Sequence, residues 1–105
     1  METIDEAYGL LATVRALLGS VTPNLRVVTI KVNIKEKIVK ICFYYDGEIS
    51  EEDFDTANTA ITEMISDFPP DYELDDYIER IDYPGAIPID GRIVFRRKEK
   101  EFRAI

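Results

Sequence analysis

At 105 residues the chain has the length of one domain, expected to run from 1 to 105 without a second unit. Its 46% hydrophobic content supplies a core, and a single cysteine, Cys42, excludes an internal disulfide. A formal net charge of −8 disfavours direct nucleic-acid binding, because phosphates are repelled overall.

No apolar run approaches the ~20 residues of a membrane span. The opening Met-Glu-Thr-Ile-Asp carries acids where a signal peptide carries lysine or arginine. The expected location is therefore the cytoplasm, a reducing compartment.

The first predicted element is a helix over Ile4 to Leu18. Ile4, Ala7, Tyr8, Leu11, Val14 and Leu18 recur at helical spacing, and Leu10 and Leu17 widen this apolar stripe. Gly19 ends the helix and Pro23 opposes a restart. Two strands follow. In Arg26 to Ile34 the residues Val28, Ile30, Val32 and Ile34 share a face; in Lys37 to Tyr45 the residues Val39, Ile41, Phe43 and Tyr45 do so. The short gap at Lys35 and Glu36 predicts a hairpin, without the Asn-Gly signature that would name its turn.

Ser50 with Asp53 three residues on forms a capping-box pattern. It opens a second amphipathic helix through Phe54, Ala57, Ile61, Met64, Ile65 and Phe68, stopped by Pro69-Pro70. A strand is expected over Tyr77 to Tyr83, and a last one over Arg92 to Arg97. The expected fold class is α+β: an antiparallel four-stranded sheet with two helices, in the order α-β-β-α-β-β.

The chemistry of catalysis is sparse. The sequence has no histidine, hence no histidine-dependent triad and none of the commonest metal ligand. Five isolated glycines assemble neither a phosphate loop nor a dinucleotide fingerprint. Cys42, between apolar neighbours in a strand, reads as a buried inert thiol. Asp71, Glu73 and Asp75 mimic the first positions of a calcium loop, but Asp76 stands where that loop needs glycine and Asp82 where it needs glutamate. The stretch reads better as a solvated acidic loop, and no catalytic residue, metal or cofactor is expected. A small acidic enzyme or divalent-ion-binding protein using Asp71 to Asp76 is the alternative, with an unrelated regulatory adaptor as a third.

The charge is unevenly spread. Residues 1–45 sum to +2, residues 46–83 to −13 and residues 84–105 to +3. On the second helix Glu52, Asp55, Thr59, Glu63 and Asp67 lie near one another at spacings of three and four, away from the apolar face. Asp71, Asp75 and Asp76 extend the block, with Tyr72 and Tyr77 interleaved. Such a block either solubilises a small protein or complements a basic partner, with tyrosines as anchors. Each tyrosine has the competing assignment of a core residue. The candidate binding set is Glu52, Asp55, Glu63, Asp67, Asp71, Tyr72, Asp75, Asp76 and Tyr77.

Several stretches together resemble a family of bacterial immunity proteins from contact-dependent growth inhibition systems. They are Leu10-Leu11 with Arg15-Ala16-Leu17-Leu18-Gly19, Asn24-Leu25-Arg26-Val27-Val28, and Phe43 through Glu52. Glu63 with Asp67-Phe68-Pro69, Arg80 through Pro84, and Arg96-Arg97-Lys98-Glu99 complete them. The resemblance covers nearly the whole chain, and Phe43 to Glu52 is its most specific part. It implies a non-enzymatic protein that binds the toxic C-terminal domain of a cognate effector, commonly a nuclease, and protects the producer. It assigns no individual binding residue. The expected partner is thus a basic nuclease domain bound by a monomer of this chain in a heterodimer, with no membrane and no direct nucleic-acid contact.

Overall fold

A computed structural model describes residues 4–105. The expectation of no signal peptide rests partly on Met1–Thr3, which lie outside the described residues. In chain order the elements are α1 (Glu6–Leu17), β1 (Leu25–Asn33), β2 (Ile38–Tyr45), α2 (Glu51–Ser66), β3 (Glu73–Arg80) and β4 (Arg92–Arg96). No described helix is long and apolar enough to cross a membrane.

The sheet order is β3-β2-β1-β4. β1 pairs antiparallel with β2 and with β4, but β2 and β3 run parallel. The sheet is therefore mixed, which corrects the expectation of an all-antiparallel one. The reason is α2: parallel neighbours need a crossover connection, and α2 carries the chain from the end of β2 back to the start of β3. β3 also begins at Glu73, earlier than the expected Tyr77, and ends at Arg80. The stretch read as an acidic loop is thus mostly a strand. Its acids hid it, because charged residues have poor strand propensity and β3 tolerates them only as an edge strand.

The β1–β2 hairpin turns over residues 34–37. Asn33 Oδ1 accepts the Glu36 amide at 3.0 Å, and Lys37 adopts a left-handed φ of 54°. This side-chain turn replaces the absent Asn-Gly. The capping box forms as expected: Ser50 Oγ accepts the Asp53 amide and Asp53 Oδ2 accepts the Ser50 amide. Asp53 also takes a 2.8 Å bond from Asn24 Nδ2, which pins the start of α2 to the chain entering β1. Burial works to raise the Asp53 carboxyl, but the bonds from Asn24 and Ser50 outweigh it and hold the group below its ordinary value.

Both helices cover one face of the sheet. The main core joins Val28 and Ile30 of β1, Val39, Ile41, Phe43 and Tyr45 of β2, and Ala57, Ala60, Ile61 and Met64 of α2. The other face has a smaller core of Val27, Cys42, Tyr44 and Ile87, with Ile81, Ile89 and Phe102 against it. Here the segment after β3 and the C-terminal tail fold over the strands; the Ile87 amide bonds the Arg103 carbonyl and the Ile105 amide bonds the Ile87 carbonyl.

The apolar stripe of α1 forms its buried face only in part: Leu17 is in the core and Ile4, Tyr8 and Leu10 pack against it. The helix turns Gly9, Ala12, Thr13, Ala16 and Leu17 to the core and leaves Leu11 and Val14 exposed, as is Leu18 just past its end. Small residues let the helix lie close to the sheet, and Gly9 marks the closest approach. A Cβ there would fall well inside van der Waals contact with Val32 Cγ2. Gly9→Ala is therefore expected to destabilise the fold by about 1 kcal/mol: the overpacking cost of about 1–3 kcal/mol exceeds the helix-propensity gain of about 1. Chemical denaturation of Gly9→Ala beside Gly9→Ala/Val32→Ala checks this, since the smaller residue at 32 should restore the loss.

Candidate protein-binding surface

α2 presents two faces. Ala57, Ala60, Ile61 and Met64 go into the core, while Glu52, Asp55, Thr59 and Glu63 are exposed. The helical period separates them, because acids at spacings of three and four share the side opposite the apolar residues. Asp55, Asn58, Thr59, Thr62 and Glu63 line a shallow groove along this outer side. Glu51, Glu52 and Asp53 sit in the first turn, where the helix dipole favours negative charge. Glu63 and Asp67 lie at the other end, where it does not, and the last turn contains no basic residue.

The candidate set does not form one patch. Glu52, Asp55 and Glu63 share the outer face of α2. Asp67 caps the end of α2, and its carbonyl accepts the Tyr8 hydroxyl from α1. Asp71 lies in the connection to β3 and pairs with Lys37, whose ammonium holds that carboxyl below its ordinary value. Tyr72 packs on Phe68, ring centroids 5.4 Å apart, at the margin of the main core.

β3 divides the remainder. Ile78, two residues from Asp76, joins the core under the helices, so Asp76 lies on the helix side. Asp75 and Tyr77 flank Lys40 and Cys42 on the opposite face. Tyr77 is 38% exposed there, with the Lys40 ammonium 5.2 Å from its ring centroid. The neighbouring Asp75 carboxylate raises the Tyr77 phenol. Asp71, Glu73 and Asp75 thus do not curl around a common point, and among the described residues no cluster of three or more His, Cys, Asp and Glu side chains is arranged to hold a metal ion.

Pairing separates the acids further. Asp46 pairs with Arg97, Asp82 with Arg80, Asp90 with both Lys31 and Lys40, and Glu99 with Arg26 and Arg97. Among the described residues, Glu52, Asp55, Glu63, Asp67, Asp75 and Asp76 carry no ion pair. Cations from the flanking thirds, with Arg80, therefore pair acids in the loops and tail, and leave those of α2 and β3 without ion pairs among the described residues.

On the opposite face Lys40, Cys42, Tyr44, Tyr77, Glu79 and Asp90 line a shallow depression. Burial pushes the Cys42 thiol up, despite neighbouring Tyr44 and Thr29, so the inert protonated form is favoured. Burial likewise raises Tyr44 and brings the Tyr45 phenol to about 12. Sequence reasoning missed this depression, because it joins β2 and β3 to Asp90 from the following loop. The free signal was the alternation of Lys40, Cys42 and Tyr44, which marks a second face without saying what covers it.

The scaffold is of the α+β class, with exposed carboxylates that lack ion pairs among the described residues on α2 and on the edge strand β3. The family model for the MafI2 immunity protein matches residues 8–99. The chain belongs to this family of immunity proteins, which suggests toxin immunity and a non-enzymatic inhibitor and implies a cognate toxin as partner. No curated protein matches the chain.

Proposed function

We propose that this protein neutralises the toxic domain of a cognate effector, a basic nuclease, by seating the outer face of α2 and the acidic edge at β3 against its substrate groove. The observation that carries this reading is the exposed trio Glu52, Asp55 and Glu63, left without cationic partners while Asp46, Asp71, Asp82 and Asp90 are paired. A nuclease must attract phosphates, so its groove is positive, and carboxylates on a preformed helix compete for the same field. Asp67, Asp71, Asp75, Asp76, Tyr72 and Tyr77 flank this centre. Tyr77, exposed beside Asp75, is the better anchor of the two tyrosines, because Tyr72 is already committed to Phe68. The protein acts in the cytoplasm, where an effector delivered by contact from a neighbouring cell would arrive.

Titration calorimetry and stopped-flow mixing against the toxin domain encoded beside this gene test the proposal. Tight association is expected, with a rate constant falling roughly 10- to 100-fold from low salt to half-molar salt. Absence of binding at every salt concentration would remove the toxin from the account. Tight binding at a salt-independent rate would keep the toxin and remove the acidic contact.

A further inference from the structure

The two borders of the sheet are finished differently. β4, at one border, is five residues long, is bulged against β1 between Val28 and Thr29, and brings Arg92 within 3.8 Å of Glu6 on α1. Short length and a bulge are devices that close a sheet edge to further pairing. β3, at the other border, has neither. It runs eight residues without a proline and pairs with β2 without a register shift. Glu73, Leu74, Asp76, Tyr77, Glu79 and Arg80 along it are exposed.

The main chain shows which way β3 is open. The Glu73 amide donates to the Lys37 carbonyl at 2.8 Å, and the Ile81 amide donates to the Tyr45 carbonyl at 2.9 Å. Strand groups alternate in direction, so Glu73, Asp75, Tyr77 and Glu79 bond β2, while the amides and carbonyls of Leu74, Asp76, Ile78 and Arg80 point away from the sheet. β3 is the last strand on that side, and among the described residues no main-chain group meets these four.

We propose that this open border receives an extended basic strand of the toxin domain, added beside β3 as a fifth strand. The partner's identity rests on the toxin reading under Proposed function; the open border says how that partner is held. Charge selects the occupant. Glu73, Asp75, Asp76 and Glu79 carry no ion pair among the described residues, while Arg80, the one cation of the strand, is taken by Asp82. Like charges opposite one another in paired strands are destabilising, so the same border of a second copy is refused. The other border of a second copy is the short, bulged β4. A strand bearing lysine or arginine is accepted, and a domain that must attract phosphates supplies one.

The two faces of β3 set the pattern of that strand. Glu73, Asp75, Tyr77 and Glu79 lie on the side of the shallow depression, where Asp90 is held by Lys31 and Lys40 but Glu79 is free of any ion pair among the described residues. On the helix side Leu74, 38% exposed, and Ile78 flank Asp76. The matching strand has lysine or arginine at every second position and aliphatic residues between them. Main-chain bonds hold it, and the alternating side chains fix its register.

Amide hydrogen exchange read residue by residue by NMR tests the proposal. The ligands are the toxin domain encoded beside the gene and, as a generic basic strand, the peptide Lys-Val-Lys-Val-Lys-Val-Lys. In the free protein Asp75, Tyr77 and Glu79 should exchange slowly and Leu74, Asp76, Ile78 and Arg80 fast. Bound toxin should slow these four by at least about 10-fold. Asp76→Pro removes an outward amide without cutting a bond to β2, and should weaken toxin binding at least about 10-fold while Tyr77 and Glu79 stay slow. Asp76→Asn, which keeps the amide, should cost less than about 3-fold. Tight toxin binding that leaves the four amides fast overturns the proposal and leaves the toxin reading standing. If the toxin domain does not bind, that reading falls and the peptide decides the border. Protection of the four amides by the peptide upholds a receptor for a basic strand, and its absence overturns it.

Discussion

Arg26→Ala is expected to lose about 3–5 kcal/mol of folding stability, the cost of removing one member of a buried ion pair. The cause begins in the backbone. Leu25 faces Tyr45 and Val27 faces Tyr44, so Arg26 is the extra residue of a bulge in β1. Bulges re-aim side chains, and this one sends a fully buried guanidinium under the tail. There Nε and Nη2 donate to both carboxylate oxygens of Glu99 at 2.7 and 2.9 Å, while Nη1 donates to the carbonyls of Ile81 and Gly85 at 2.8 and 3.0 Å. The Tyr83 ring lies 5.7 Å from the guanidinium carbon. Alanine would strand Glu99, itself 2% exposed, with only Arg97 to face it. Urea denaturation of the two proteins measures the loss; a change below about 1 kcal/mol would mean the tail detaches at little cost.

The same pair makes stability pH-dependent. The Arg26 guanidinium, through its hydrogen bonds, holds the Glu99 carboxyl below its ordinary value of 4.5. The unfolded state therefore takes up the proton first as pH falls. The stabilisation is complete above that ordinary value and is lost as pH drops through the lowered folded value. Asp46 behaves alike, its carboxyl held down by Arg97 and by the Tyr83 amide against the effect of burial. In Arg26→Ala, Glu99 protonates more readily, so the gap between parent and variant should narrow below about pH 4.

The second large effect is expected in binding. Reversing Glu52, Asp55 and Glu63 together to lysine should weaken toxin capture by at least about 100-fold, first through the association rate and then through new repulsion. These three positions are chosen because they are exposed, unpaired and outside the core. Asp71 is a poorer choice, since reversing it also breaks its bond to Lys37, and Asp67 closes the helix. The melting temperature should move by only a few degrees, because exposed helix charges are worth a few tenths of a kcal/mol per pair. A triple variant that binds at the parental rate would place the contact on another surface.

What the sequence revealed follows from how its elements are partnered. β1 and β2 were legible because both occupy the sheet interior and their alternating apolar residues face the helices. α2 was legible because its acids and apolar residues sit on opposite sides. α1 was legible in part: Leu17, Tyr8 and Leu10 meet the core as expected, but Leu11 and Val14 do not, because burial also followed the small residues that permit close approach to Val32. β3 was legible only in part, because an edge strand with Glu73, Asp75, Asp76 and Glu79 has the composition of a loop. The acidity of the candidate surface was visible as composition. Its partition was not, since Asp75 and Asp76 are neighbours in sequence and lie on opposite sides of a strand. Nor does spacing show that Lys37 meets Asp71 or that Arg26 meets Glu99.

The placement of β4 bears on how the protein matures on the ribosome. β1 is an interior strand, yet one of its neighbours, Arg92–Arg96, is encoded some sixty residues later. Until those residues emerge, a nascent chain can assemble its helices over β1 and β2 but leaves one border of β1 unzipped, with the guanidinium of Arg26 still awaiting its carboxylate. Closure of that border therefore waits until residues 92–99 have emerged and docked against β1.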